Sequence, residues 1–206
     1  MAFLSEQEQA RVRDAVRRAE SATSGQFVTV IASASDGYRF IPTLWAALIA
    51  LAIPGIGLAA GYGYQLLYAL QVASFVALFI VLRWMPLRMS LIPKSVKLRR
   101  AARLAREQFM TLGLHRTPNR TGVLFFVSVA ENYVEILADD GVAQVVDENQ
   151  WRQIVDEYVK AVRNGQVGEG MAIAIDHCTE LMATHFPPGE NEQNLLPDHL
   201  IQIAPG

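Results

Sequence analysis

Apolar and polar positions alternate in three regimes along this chain, and each regime predicts its own element type. Ser5-Glu6-Gln7-Glu8 has the spacing of a capping box, a serine with glutamate three residues later. Val12, Ala15, Val16 and Ala19 then recur at helical spacing, and Thr23-Ser24-Gly25 closes that helix. Phe27, Val28, Val30 and Ile31 make Gln26–Ser33 a strand. One helix and one strand cannot bury a core, so their partners must lie further on.

The second regime is a long gap in charge. From Phe40 to Leu82 no residue is charged, with Arg39 and Arg83 at its borders. A hydrocarbon layer about 30 Å thick takes roughly 20 helical residues. The gap is about twice that long, which predicts two crossings, Ile41–Ala60 and Leu66–Met85. The turn between them is Gly61-Tyr62-Gly63-Tyr64-Gln65. Trp45 and Trp84 stand near the opposite ends, where an aromatic belt belongs. Pro54 predicts a kink in the first span. Gly57 and Gly61 have the four-residue spacing that lets two helices approach closely; glycine is also common in such spans without that role. A rival reading makes the two runs core helices of a larger soluble fold, but a core helix rarely needs to be apolar on every face.

The third regime resumes the first. Lys97–Leu112 is helical, with Leu98, Ala101, Ala102, Ala105 and Phe109 on one face. Gly122–Val129 is almost wholly apolar, as suits a strand covered on both sides. Tyr133–Ala138 alternates and pairs with it through the turn Ala130-Glu131-Asn132. Asn149–Arg163 is a helix carrying Trp151, Ile154, Val155, Tyr158, Val159 and Val162. A Gly-rich turn at Asn164–Gly170 leads to a last helix, Met171–His185, ended by Pro187-Pro188. Leu195–Ile203 has the apolar content to dock but no pattern that assigns an element. The fold class is therefore α/β: a small α/β/α sandwich with a short mixed sheet. A two-helix transmembrane hairpin interrupts it after its first strand. Residues 1–40 and 89–206 form the discontinuous domain, and 41–88 the hairpin.

Charge sets the orientation. Arg83, Arg88, Lys94, Lys97, Arg99, Arg100, Arg103 and Arg106 follow the second span, with no acid before Glu107. Positive flanks stay in the cytoplasm, so both termini and the α/β domain are expected on the cytoplasmic side of an inner membrane. The same stretch suits anionic lipid and equally suits a solvated helix face. The 206 residues are 18% charged, against about 25% in ordinary domains, and the deficit lies in the gap. A net charge of −2 gives no general attraction to nucleic acid. Met1 to Leu4 runs directly into Ser-Glu-Gln-Glu, which predicts no secretory signal. The single Cys178 forms no internal disulfide.

The helix–strand opening at residues 4–32 resembles the TPM-domain family, as do residues 102–155 and 168–187. This family includes thylakoid-lumen phosphatase-like proteins of photosystem repair. The carrying features are the opening, the Arg-Thr-Gly-Val-Leu-Phe-Phe-Val-Ser strand at 120–128, and the strand leading to Asp139-Asp140-Gly141. The resemblance implies an α/β/α sandwich, and divalent-metal binding or phosphate-ester hydrolysis of the kind ascribed to some members. The family's usual glycine-rich turn reads here as Asp139-Asp140-Gly141.

Candidate chemistry is sparse. Ligands of open α/β sheets collect beyond the carboxyl ends of strands. Asp36 follows the first strand, and Asp139 and Asp140 follow the Tyr133–Ala138 strand, with Asp147 and Glu148 soon after. Hard cations take carboxylate oxygens, so Asp36, Asp139 and Asp140 are the candidate metal ligands, with calcium or magnesium the suitable ions. The same residues also fit turns and helix caps. Asp36 and Asp139 share a sheet end only if their strands run parallel. Arg116 and Arg120 could face a phosphate. His115, His177, His185 and His199 have no zinc spacing. Gly165-x-x-Gly168-x-Gly170 lacks the lysine of a phosphate loop. No catalytic set emerges. The expected function is non-enzymatic: a bilayer-anchored domain that binds or assists other membrane proteins. The alternative is a divalent-metal-binding domain with phosphatase activity.

Overall fold

The computed structural model describes residues 4–38, 40–82, 84, 89–188 and 201–203. The chain divides into two compact units: Met1–Ser35 with Arg99–Gly206, and Asp36–Leu98. Arg39, Arg83, Arg88 and most of the 195–203 tail, all named above, lie outside the described residues.

The first unit is an α/β/α sandwich. Helix α1 (Glu6–Ala22) begins at the expected capping box: Ser5 accepts from the Glu8 N–H, and Glu8 accepts from the Ser5 N–H. Its buried face is Val12, Ala15, Val16 and Ala19. Strands β1 (Gln26–Ala32), β2 (Gly122–Ser128), β3 (Tyr133–Ala138) and β4 (Ile201–Ile203) form one sheet in the order β3-β2-β1-β4. β1 and β2 run parallel, from Gln26 opposite Gly122 to Ala32 opposite Ser128. β3 is antiparallel to β2, and β4 is parallel to β1. Every residue of β2 is buried, as its unbroken apolar run requires of a strand covered on both faces.

Alternation along β1 and β2 feeds two cores. Phe27, Ile31, Val123, Phe125 and Val127 face α1 and the helices α6 (Glu148–Arg163) and α7 (Val167–His185). Val28, Val30, Leu124 and Phe126 face Ala105 and Phe109 of α4 (Lys94–Thr111), together with Leu114. Phe125 meets Tyr158 edge-to-face with ring centroids 5.3 Å apart, a favoured aromatic geometry.

Three expectations shift. The last helix starts at Val167 instead of Met171. Its early glycines lie inside the helix: Gly170 lets α6 and α7 approach closely, since a Cβ there would lie 2.5 Å from the Ala161 Cβ, and Gly168 packs against Glu8 of α1. Asp139 caps a four-residue helix, α5 (Asp140–Ala143), where a plain turn was expected. Ile201-Gln202-Ile203 pairs with β1, a strand too short for its pattern to be read from sequence.

The second unit contains α2 (Phe40–Ala59) and α3 (Tyr64–Val81), each within a few residues of the expected span. Both are long and apolar enough to cross a membrane, with mean hydropathies of 1.9 and 1.8. Leu67 of α3 is buried in a notch over Gly57. A Cβ there would sit 2.0 Å from the Leu67 Cδ2, so this glycine does allow close approach. Phe75 and Phe79 stack along α3. Most of the large apolar side chains of these helices point outward: Leu44, Trp45, Leu48, Leu51, Ile56, Leu66, Tyr68 and Ile80 are all exposed. A core helix of a soluble fold would be mostly buried.

Candidate functional site

Because β3 runs antiparallel to β1, the carboxyl ends of these two strands lie at opposite ends of the sheet. Asp139, after β3, donates its N–H to the Gly122 carbonyl at the start of β2 (2.9 Å). Asp139 and Asp140 are therefore together at one end. Asp36 follows the carboxyl end of β1 and belongs to the second unit, where its Oδ1 accepts from the Tyr38 N–H (3.0 Å).

The Asp139–Asp140 end is organised by one arginine. Asp139 Oδ1 accepts from the Asp140 N–H (2.8 Å), a helix-cap contact. Arg120 Nε lies 3.6 Å from Asp139 Oδ2, and Arg120 Nη1 donates to Asp140 Oδ2. Asn119 and Arg120 both take left-handed backbone angles, φ 60° and 55°, uncommon for residues with a Cβ. Asn119, Arg120, Asp140, Gly141 and Gln144 line a shallow cleft of about 400 Å³. Asp139 is 6% exposed, and its Oδ2 is buried without a hydrogen bond. Asp147 caps α6 through a capping box with Gln150, and Glu148 pairs with Arg152. Among the described residues, no group of three or more His, Cys, Asp or Glu side chains is placed to hold a metal ion.

The opposite end holds a constellation that sequence reasoning passed over. Beyond the parallel strands, Glu131 is 5% exposed. Its Oε1 accepts from the Ser35 N–H (3.0 Å), and its Oε2 accepts from Ser128 Oγ at short range. The Ser35 and Ser128 hydroxyls are 2.7 Å apart. Val129 and Ala130 donate their N–H groups to the carbonyls of Ala32 and Ser33, which stitches the turn to the end of β1. A serine against a carboxylate has the outline of a nucleophile and base. Ser128 is only 1% exposed, however, so substrate does not reach its Oγ in this conformation. The geometry is that of a clamp holding β1 to the β2–β3 turn. In sequence Glu131 stands out only as a turn residue. The available signal is a carboxylate three positions after Ser128, the last residue of an almost wholly apolar strand.

Three further titratable groups are perturbed in or beside the core. Burial pushes the Cys178 thiol well up, so it stays protonated. Burial does the same to the Tyr158 phenol. Tyr133 is raised by burial and by its hydrogen bond to Glu135. His177 Nδ1 lies 3.0 Å from Glu157 across the α6–α7 surface. Arg116 contacts His115 (3.2 Å).

A family model described as the TPM domain matches residues 88–181, a stretch that starts after α3 and ends within α7. The structure is similar to the NMR structure of the BA42 protein from the psychrophilic bacterium Bizionia argentinensis. The TM-score is 0.62 at 18% identity, over 98% of this chain and 96% of that one. That likeness is one of fold. No curated protein matches the sequence.

Proposed function

We propose, from the match of residues 88–181 to the TPM-domain model and from the two apolar helices, an integral protein of the inner membrane. Its α/β unit lies on the cytoplasmic face and binds other membrane proteins or assists their assembly. The observation that carries the reading is the outward apolar surface of α2 and α3, where Leu51 and Ile56 are 69% and 70% exposed. Burying one such side chain is worth about 1.5–3 kcal/mol, and a bilayer buries the whole set at once. Neither helix contains an acidic, basic or histidine residue of the kind that marks a transport path. The hairpin is thus an anchor, and the α/β unit is the working part. Lys94, Lys97, Arg99 and Arg100 after the hairpin favour cytoplasmic termini.

Crosslinking in intact membranes tests the reading. Adducts with other membrane proteins are expected. Recovery of the monomer alone, under conditions that trap known complexes, counts against it. Protease access to terminal tags, with and without permeabilisation, tests the orientation.

A second reading places a divalent cation, calcium or magnesium, at Asp139 and Asp140. One observation favours it: the buried Oδ2 of Asp139 has no hydrogen-bond donor. Two carboxylates fall short of the six to eight oxygens calcium takes. The Arg120 guanidinium also already neutralises both of them. A cation would have to replace that arginine. Calorimetry with calcium, magnesium and manganese separates the readings. Binding that strengthens in Arg120→Ala and vanishes in Asp139→Ala supports the cation; absence of heat in both removes it. Phosphate-ester hydrolysis belongs to this second reading and requires the cation site first.

A further inference from the structure

Positive charge is gathered on one helix. α4 carries Lys94, Lys97, Arg99, Arg100, Arg103 and Arg106 against a single acid, Glu107. The chain has 18 basic and 20 acidic residues, so a third of its cations occupy this element and the remainder of the molecule is acidic. Ala101, Ala105 and Phe109 turn α4 toward the sheet, which leaves the arginines exposed. Arg99, Arg103 and Arg106 follow one another at steps of four and three, a single line along the helix surface. With Arg100, Glu107, Met110 and Thr111 they make up one open face of the helix. Arg103 donates to Glu107 at 2.8 Å, and six cations against one acid leave α4 with a net positive charge.

Helix stability does not account for this placement. Lys94 and Lys97 stand in the first turn of α4, which holds no acid, and the arginines follow further along. Cations there oppose the helix dipole, whose amino-terminal end is already positive. The arrangement favours an anion outside the protein. The chain supplies the setting: the second apolar helix ends at Val81 and α4 begins at Lys94. Guanidinium groups bind phosphate oxygens through paired hydrogen bonds, and basic segments next to a membrane span are drawn to anionic headgroups.

We propose that the exposed face of α4 is a binding surface for the phosphodiester headgroups of anionic lipids, with Arg99, Arg103 and Arg106 as the contacting groups. The proposal rests on the membrane-anchored reading above, and its test separates the two.

The full chain is first reconstituted into vesicles of phosphatidylcholine alone and washed with alkaline carbonate. Release from these neutral vesicles refutes the anchor, and with it the supply of headgroups to α4. After retention, the chain is taken into neutral detergent micelles with equal amounts of phosphatidylglycerol and phosphatidylcholine. Native mass spectrometry then reads which lipid stays bound. Phosphatidylglycerol is expected to be favoured by about tenfold, and the preference should fall with added salt. Neutralising Arg99, Arg103 and Arg106 to glutamine should bring the ratio close to one. Neutralising Arg11, Arg13 and Arg17 on α1 removes the same charge elsewhere and should leave the preference intact. Equal retention of the two lipids by the unaltered chain overturns the proposal, as does an equal loss in both triple variants.

Discussion

Replacing Glu131 by alanine removes the acceptor shared by the Ser35 N–H and the Ser128 hydroxyl, both at the buried end of the parallel strands. A hydrogen bond to a charged group contributes about 1.5–3 kcal/mol; the Ser128 hydroxyl can turn to the Ser35 oxygen 2.7 Å away, so the Ser35 N–H is the donor left without a partner. Deleting the carboxylate also relieves the cost of burying its charge. The net destabilisation of E131A is therefore about 2–4 kcal/mol. E131Q keeps an acceptor for the Ser35 N–H and presents an amide to Ser128, whose oxygen can accept. Its loss should be about 1 kcal/mol. Guanidinium unfolding of the full chain in a neutral detergent, followed by far-UV circular dichroism, gives both values. Hydrogen exchange over Gln26–Ala32 and Gly122–Ser128 locates the effect. The reasoning fails if both variants stay within about 0.5 kcal/mol of the parent, the range of ordinary surface changes. It fails equally if alanine and glutamine cost the same.

Three further outcomes follow from local geometry. Glu8 has its pKa lowered chiefly by the Ser5 N–H, then by the Ser5 hydroxyl, with the Gly168 N–H adding a smaller contribution. A depressed carboxylate stabilises the fold above its unfolded pKa, and that stability is lost as pH falls through the folded one. Urea titrations between about pH 6 and pH 3 should show a steeper acid loss for the parent than for E8Q; parallel curves would reject the assignment. Tyr158 has a buried hydroxyl without a hydrogen-bond partner, so Tyr158→Phe should be neutral or stabilising by about 1 kcal/mol. A clear drop in melting temperature contradicts this. Gly57→Val drives a branched side chain into Leu67 and should cost the hairpin about 1–3 kcal/mol. Unchanged thermal stability in detergent would mean that the α2–α3 contact is not made there.

The sandwich was legible because its signals are local and repeated. The Ser5–Glu8 capping box, the helical stripe from Val12 to Ala19 and the unbroken run Val123–Val127 each allow one reading. The hairpin was legible from charge alone. What sequence could not give was the direction of β1 relative to the β2–β3 hairpin. The placement of Asp36 relative to Asp139 turned on whether β1 and β3 run parallel, and hydrogen-bond register between distant segments decides that. Glu131 escaped for the same reason. Its partner Ser35 is brought to it only by the parallel β1–β2 pair. β4 escaped because three residues carry too little periodicity to distinguish a strand from a tail.

The parallel pairing of β1 with β2 has a consequence for how the molecule is made. Roughly 90 residues separate the end of one strand from the start of the other, which is several seconds of translation. In that interval the hairpin emerges whole, while β1 waits without its central neighbour. Under the proposed anchoring, ribosomal delivery puts lodging of the greasy segment first and completion of the globular body afterwards. During the delay, the unpaired backbone of β1 and its apolar side chains Phe27, Val28, Val30 and Ile31 are open to any chaperone stationed at the exit tunnel.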